Sequence, residues 1–187
     1  MFYQPIIRKI FLVTVLMISF ISQALINDAI AYTAKQIDTD VDATLELFDE
    51  VKGSKGVLNK AKGILVFPSV IKAGFGIGGE YGEGALRIKG KTVDYYSTIA
   101  ASIGFQIGAQ KKSIILAFME KNALKKFRDS SGWKIGADAS LAVIAIGAGG
   151  AIDTASHNEP ILAFVFDQKG LMYNLTLEGA KISKIKK

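Results

Sequence analysis

Cysteine is absent from this 187-residue chain, and histidine occurs once, as His157. Without cysteine the chain can form no disulfide, no zinc–thiolate site and no cysteine-linked lipid anchor. A single histidine leaves a transition-metal site without its usual ligands. A Ser-His-Asp triad would have to use His157, but nothing in the sequence places a nucleophile beside this residue, so a solvated loop histidine is the better interpretation. We therefore expect a protein that folds by packing alone, binds no cofactor and is not an enzyme.

Charged residues are missing from a long apolar segment near the N-terminus. Arg8 and Lys9 precede an apolar run over Ile10–Ile21, and an Ala-Ile-Ala cleavage pattern follows shortly afterwards. This arrangement predicts a secretory signal over residues 1–31 and one domain over residues 32–187. An uncleaved membrane anchor is the alternative, because the charge-free stretch approaches the lower length limit for a spanning helix. Both interpretations place the folded part outside the cytoplasm, in the periplasm or secreted.

The charge balance is basic, with a formal net charge of +6, and half of the residues are apolar. A basic balance favours anionic partners, of which phospholipid headgroups are one class. Nucleic acid is disfavoured as a partner because the chain is expected to leave the cytoplasm. The apolar content is sufficient for a folded core rather than a disordered chain.

Helical periodicity is confined to short segments. Apolar residues over Ala34–Lys52 recur every three or four positions, and Gly53 predicts the end of this helix. Its polar face carries mostly Asp and Glu, whereas helices that lie on membranes usually carry Lys and Arg. We therefore expect it to pack against the core. A second short helix is expected after Gly53, and another over Glu120–Arg128 with Leu124 and Phe127 directed inward.

The remaining sequence alternates between apolar and polar or glycine residues, which is typical of strands. Glycine-rich turns are expected at Gly82–Gly84 and at Lys89–Lys91. The predicted strand segments are Ile64–Phe67, Ile71–Tyr81, Val93–Ala109, Ser113–Phe118, Trp133–Ile146, Ile161–Phe166 and Leu171–Leu177. The last two are expected to form a terminal hairpin. The predicted fold class is α+β, mainly an antiparallel β-sheet or barrel with N-terminal and flanking short helices.

A glycine-rich motif occurs twice. Gly74–Gly78 reads GFGIG and Gly104–Gly108 reads GFQIG, which suggests a repeated hairpin. The first copy also matches the dinucleotide-binding pattern GxGxxG, but that pattern needs a helix directly after it. Strand alternation continues through the motif instead. The glycines are therefore interpreted as places where a sheet bends or another backbone approaches closely.

Several acidic residues have side chains suited to a hard cation such as calcium. They are Glu80, Glu83, Asp138 and Asp153. Carboxylate oxygens are the preferred ligands of calcium, provided that the fold gathers enough of them. The sequence leaves open whether these four residues converge.

Two stretches, Ala61–Pro68 (AKGILVFP) and Lys72–Gly82 (KAGFGIGGEYG), resemble the SYLF domain, a module shared by bacterial exported proteins and eukaryotic endocytic actin regulators. Further stretches resemble it at Gly104–Gln110, Lys125–Arg128, Ser130–Trp133 and Gly147–Asp153, and at Phe166 together with Lys169–Met172. The resemblance covers roughly Val51–Glu178. It implies phospholipid binding, with phosphoinositides as the eukaryotic ligands and actin binding in some members, and no enzymatic activity.

These observations together predict an exported cell-envelope protein that binds phospholipid or a membrane surface through a SYLF-like domain. Lysines near the second helix and the first strands are expected to contact headgroups. The candidates are Lys60, Lys62, Lys72, Lys111 and Lys112. The alternative is an envelope module that binds another protein through its Gly-rich strands and is related to the actin-binding members of the family.

Overall fold

A computed structural model describes residues 32–138, 140–146, 152, 159–170, 177 and 179–187, with the backbone alone at 75–77, 102–108 and 168–170. Residues Thr33–Lys187 form one compact unit. The predicted secretory signal, His157 and most of the last predicted strand lie outside the described residues. Within the described part, none of the helices has both the length and the apolar character needed to cross a membrane.

Helix α1 spans Ala34–Asp49 and lies against the sheet. It begins with a capping box, in which Thr33 Oγ1 accepts a hydrogen bond from the Gln36 N–H and Gln36 Oε1 accepts one from the Thr33 N–H, both at 3.2 Å. Ile37, Val41 and Phe48 are buried on one face of this helix. The prediction that the acidic helix packs against the core is therefore confirmed.

Two shorter helices follow: α2 over Ser54–Lys60 and α3 over Lys121–Asp129. Gly53, with a φ of 94°, turns the chain between α1 and α2. Glycine is favoured in a left-handed backbone conformation of this kind because glycine has no Cβ. Leu124 and Phe127 of α3 are buried, as the sequence predicts.

The described strands form one sheet built around a long central strand. They are β1 (Gly63–Ile88), β2 (Lys91–Phe118), β3 (Trp133–Lys134), β4 (Ala142–Ala145), β5 (Ile161–Gly170) and β6 (Lys181–Ile185). Strand β2 pairs with β1 along its whole length, with β5 near its C-terminal end and with β6 near its N-terminal end, all antiparallel. β3 pairs antiparallel with β6, and β4 pairs parallel with β5. The α+β, mainly antiparallel prediction is confirmed.

Strand β1 folds back on itself at its glycine-rich middle. Lys72 Nζ lies 3.6 Å from Glu80 Oε1, although eight residues of extended strand span about 26 Å. At the far ends of the strand, a methyl group added to Gly63 would lie 3.5 Å from Ile88 Cγ1. We call residues 63–72 the first arm and residues 80–88 the second arm. Both strand termini therefore lie at one end of the fold, and the bend lies at the other.

Two glycines allow the arms to cross closely. A methyl group at Gly84 would overlap the carbonyl oxygen of Val66, and one at Gly82 would come within 2.9 Å of the carbonyl oxygen of Ser69. The interpretation of the glycines as places where another backbone approaches closely is therefore correct at Gly82 and Gly84. The prediction of a turn at Gly82–Gly84 is wrong, because β1 continues through these residues, whereas the turn at Lys89 and Gly90 is confirmed by their positive φ angles of 52° and 76°.

Both faces of the sheet are buried where helices pack against the arms of β1. One core holds Leu65, Leu116 and the α3 residue Phe127, and the other holds Val66, Ile115 and the α1 and α2 side chains. This double coverage explains the continuous apolar runs at 64–67, 114–118 and 161–166, since a strand buried on both faces has no polar side.

Several predicted strands have different bounds from those expected: Ile64–Phe67 and Ile71–Tyr81 both belong to the single strand β1. The segments Val93–Ala109 and Ser113–Phe118 belong to one strand, β2, because the intervening lysine and glutamine residues stay in the ladder with β1. The segment Trp133–Ile146 forms only the short strands β3 and β4, because residues 135–138 make a turn in which Gly136 has a φ of 87°.

Candidate functional site

A groove of about 990 Å³ opens at the end of the fold where the two termini of β1 meet. The end of α2, the β1–β2 turn, helix α3 and strand β6 all contribute to its walls. We call it the basic groove. Its volume is at the upper end of the range for small-molecule sites.

The apolar lining residues of the basic groove are buried or half-buried, and we call them its floor; the cationic ones, apart from the half-buried Arg87, are exposed, and we call them its rim. Leu45, Leu58, Ile64, Ile88 and Leu124 supply apolar side chains to the lining. The cationic lining residues are Lys62, Arg87, Lys89, Lys121, Lys125, Arg128 and Lys184, and the anionic ones are Asp42, Asp94 and Asp129. Seven cations against three carboxylates leave this lining with a net charge of +4. The groove therefore combines apolar surface with a strong excess of positive charge.

Part of this charge is held in place by ion pairs. Arg87 Nη2 lies 2.6 Å from Asp42 Oδ1 and 3.6 Å from Asp38 Oδ1, which ties the turn end of β1 to α1. Asp38 also accepts hydrogen bonds from Thr92 Oγ1 at 2.6 Å and from the Tyr95 hydroxyl at 2.8 Å. Burial, followed by the hydrogen bond to Asp38, raises the pKa of Tyr95.

A second carboxylate, Asp94, joins α3 to β6. It faces Arg128 Nη2 at 3.3 Å and also pairs with Lys184 Nζ. Lys125 pairs with Asp129 one helical turn away, at 2.5 Å. These contacts position cationic side chains along one wall of the groove, although exposed pairs of this kind contribute little stability by themselves.

Three cations of the basic groove have no such partner. In the described part of the chain, no carboxylate lies within ion-pair distance of Lys62, Lys89 or Lys121. Lys62 precedes β1, Lys89 lies in the β1–β2 turn, and Lys121 begins α3. Their ammonium groups are therefore available to an anion that enters the groove.

The structure separates the five lysines that the sequence singled out. Lys62 lines the basic groove, and Lys60 is exposed beside it without lining it. Lys111 is exposed on the part of β2 nearer the bend. Lys72 and Lys112 are 3% and 1% exposed, so they are not surface ligands.

The two buried lysines share one carboxylate. Lys112 Nζ lies 2.8 Å from Glu80 Oε2, and Lys72 Nζ lies 3.6 Å from Glu80 Oε1. Glu80 itself is 9% exposed. Transfer of a charge from water to a protein interior is costly, so buried charges are paired. The headgroup assignment is therefore wrong for Lys72 and Lys112, whose ammonium groups join the first arm and strand β2 to Glu80 on the second arm.

The model of the Ysc84 family, described as Las17-binding protein actin regulator, matches residues 99–187. The match over residues 99–187 supports the SYLF family resemblance that the sequence motifs predict. This family includes actin-binding and lipid-binding members. No curated protein matches the chain. The matched residues contain Lys121, Lys125, Arg128 and Lys184 of the basic groove, whereas Lys62, Arg87 and Lys89 come from the preceding part.

Three of the acidic residues considered for a cation are engaged with other groups. Glu80 faces the two buried lysines, Glu83 pairs with Lys187, and Asp138 accepts a hydrogen bond from the Lys134 N–H at 2.6 Å. Asp153 lies outside the described residues. Over the residues that the structure describes, no group of three or more His, Cys, Asp or Glu side chains is arranged to hold a metal. The calcium hypothesis is therefore without support from this structure.

Sequence reasoning missed Arg87 and Lys89 as members of a site. The basic clusters on α3 and near the C-terminus were visible as runs of lysine and arginine, but such runs are usually solvated faces. Only the convergence of four chain segments shows that these residues surround one concave surface.

Proposed function

We propose that this protein binds phospholipid non-catalytically in the basic groove, as an exported component of the cell envelope. The observation that carries the proposal is an apolar floor beneath a cationic rim in one concavity. A phospholipid has the same two chemistries, a phosphate group joined through glycerol to hydrocarbon. The lipid-binding members of the family support the same class of ligand.

The three lysines without ion-pair partners are assigned to the phosphate. Lys62, Lys89 and Lys121 come from different elements around the rim, so their charges can approach an anion from several directions. An ammonium group is a compact charge with three donors, which suits phosphate without demanding one fixed geometry. The paired residues Arg87 and Arg128 add positive potential while their own carboxylates hold them in position.

The hydrocarbon next to the glycerol is assigned to the floor. Leu58, Ile64, Ile88 and Leu124 line this part of the groove. Burial of apolar surface contributes roughly 25 cal/mol per Å². The polar lining groups are ammonium, guanidinium, amide and carboxylate groups, and the carboxylates are engaged with cations. We therefore assign no reaction to the groove.

The test is titration of residues 32–187 with short-chain phosphatidylglycerol kept below its micelle concentration, monitored by NMR or calorimetry. The test variant is Lys62→Gln with Lys89→Gln and Lys121→Gln. The control is Lys35→Gln with Lys52→Gln and Lys134→Gln, three exposed lysines outside the groove that change the net charge equally. At roughly 1 kcal/mol for each lysine, the test variant should bind on the order of 100-fold more weakly and the control almost normally.

Two further ligands distinguish binding of a whole phospholipid from binding of its phosphate group alone. Glycerol 3-phosphate should bind much more weakly than phosphatidylglycerol, because it lacks the hydrocarbon for the floor. Short-chain phosphatidylcholine should show a smaller salt dependence, because its headgroup has no net charge. Equal loss of affinity in the test and control variants would contradict the groove assignment. Absence of binding to all three ligands would favour the alternative, an envelope module that binds another protein.

A further inference from the structure

Apolar side chains are exposed on the outer faces of both arms near the bend. Ile71 is 51% exposed on the first arm, Tyr81 is 50% exposed on the second arm, and Ile99 of β2, which pairs with Tyr81, is 55% exposed. Ala73, Ala101 and Ala109 are exposed at neighbouring register positions on the same faces. We call these six residues the apolar tip.

The backbone register places both glycine-rich motifs at this end of the fold. Phe75 pairs with Ile107 and Ile77 pairs with Ile103, so the repeats GFGIG and GFQIG lie opposite one another in the β1–β2 ladder. The ladder is irregular between Phe75 and Ile77, where β2 contributes extra residues. An irregularity of this kind bends the strand with the extra residues, here β2, and β1 follows because it stays paired with β2. The repeated motif thus marks the bend.

The apolar tip is convex because β1 folds back. The inner faces of the arms meet through Lys72 and Glu80, and side chains alternate between faces along a strand. Ile71 and Tyr81 therefore project from the outer sides of two different arms. A rigid partner protein would cover only one of these two sides. The fluid hydrocarbon of a bilayer can contact both sides of the apolar tip at once.

The charges near the apolar tip suit an anionic surface. The titratable groups at its register positions include the Tyr81 hydroxyl, which hydrogen-bonds to Glu83 at 2.7 Å. They also include two exposed lysines: Lys111, which pairs in the ladder with Ile71, and Lys181, which pairs with Ile99. The nearby carboxylates are neutralised: Glu83 by Lys187 at 2.7 Å and Glu80 by the buried lysines. Tyrosine and lysine at the margin of an apolar surface are typical of membrane interfaces.

From this geometry we infer that the apolar tip is a second lipid-contacting surface, which inserts into the interfacial region of an anionic bilayer at the end of β1 opposite the basic groove. Insertion buries Ile71 and Ile99 in hydrocarbon and leaves Lys111 at the headgroups. The inference concerns different residues from the proposed function, so the two can fail separately.

Because the chain contains no cysteine, single labelling sites report on this surface directly. Ile71→Cys and Ile99→Cys each carry an environment-sensitive fluorophore on residues 32–187, and Leu47→Cys on the exposed face of α1 is the control. With phosphatidylglycerol–phosphatidylcholine vesicles, both tip labels should shift to the blue and be quenched by nitroxides on the acyl chains. The control label should stay solvent-exposed.

A substitution set tests the energetic contribution. Ile71→Thr with Tyr81→Thr and Ile99→Thr keeps residues that favour strands and should lower vesicle partitioning at least tenfold. Leu47→Gln with Val93→Thr and Val143→Thr removes three exposed apolar residues elsewhere and should leave it unchanged. Far-UV circular dichroism and thermal unfolding confirm that each variant folds.

Three results would overturn the inference. Tip labels that remain solvent-exposed while the protein partitions onto vesicles would show that another surface contacts lipid. A shift of one tip label alone would indicate docking by a flat face. A concentration-dependent shift without vesicles, accompanied by dimers in ultracentrifugation, would identify a second copy as the occupant. Binding of short-chain phosphatidylglycerol to the tip variant reports separately on the basic groove.

Discussion

The Glu80 carboxylate lies 2.8 Å from the ammonium group of Lys112, which is almost completely buried on the neighbouring strand. Glu80 also faces Lys72, so one carboxylate serves two buried ammonium groups. Removing one member of such a cluster leaves the other charges buried without compensation, whereas replacing all members by apolar residues is often neutral.

Glu80→Gln should therefore lower the free energy of unfolding by roughly 3–5 kcal/mol. The combined replacement Lys72→Met, Glu80→Met and Lys112→Met should recover most of that loss. Urea denaturation measures both, with the exposed residue Glu46 changed to Gln as a control that should alter stability by less than about 0.5 kcal/mol. Unchanged stability in Glu80→Gln would mean that the cluster does not hold the arms together.

Gly84→Ala tests the crossing of the two arms. The added methyl group would overlap the Val66 carbonyl oxygen and approach Phe67 Cδ1 to 2.8 Å. Backbone atoms cannot move aside without separating the arms, so we expect loss of the native fold or a much lower thermal midpoint. Gly56→Ala in α2 is the matched control, because nothing lies within 4 Å of the added group, and it should stabilise the helix by up to about 1 kcal/mol. A normal melting curve for Gly84→Ala would contradict the crossing.

The two proposed lipid surfaces together predict clustering of vesicles. Seven or eight residues separate the groove end of each arm from the apolar tip, or roughly 25 Å of extended strand, so the surfaces can engage different bilayers. Turbidity and electron microscopy should show clusters of anionic vesicles with the unmodified protein. The triple-lysine groove variant and the triple tip variant should each still attach to vesicles but no longer cluster them. Clustering that survives in either variant would argue against this arrangement.

We expect the protein to lose stability at alkaline pH because of Tyr96. Its ring packs on Phe127 with centroids 4.8 Å apart, and burial, followed by the Asp94 carboxylate, raises its pKa to about 12 from 10.0. The folded state thus holds the phenolic proton more tightly than the unfolded chain does. The resulting contribution to stability is complete below pH 10 and is lost as the pH rises from about 10 to 12.

Tyr96→Phe keeps the ring contacts and removes this ionisation. The variant should therefore lose less unfolding free energy than the unmodified protein over the same pH interval, and its absorbance titration at high pH should lack one late-ionising phenol. Urea unfolding at pH 9 and pH 11 provides the comparison. Parallel losses in the two proteins would show that Tyr96 does not ionise differently in the folded state.

Local features of the fold were predictable from the sequence because they depend on neighbouring residues. The period of three to four over Ala34–Lys52 predicted α1 and its buried face, and alternation predicted most of β1 and β2. The motifs that resemble the SYLF domain predicted the family. Lys62, predicted as a headgroup lysine, is exposed and lines the basic groove.

Other features depend on contacts between distant residues. A straight strand and a folded strand have the same alternation, so nothing in the pattern around Gly74–Gly79 predicted that Lys72 would meet Glu80. Lysine is ordinarily exposed, and only the carboxylate brought in by the bend allows Lys72 and Lys112 to be buried.

Residue type and local period predict most of the helices and strands, the acidic packing helix, the absence of thiol chemistry and the family resemblance. Three features depend instead on tertiary contacts: which lysines are exposed, the meeting of Lys62, Lys89 and Lys121 around one groove, and the positions of Ile71 and Tyr81 on opposite sides of a bend. Burial and charge pairing are set by the groups that meet in space, and in this fold those groups come from arms that cross at Gly82 and Gly84.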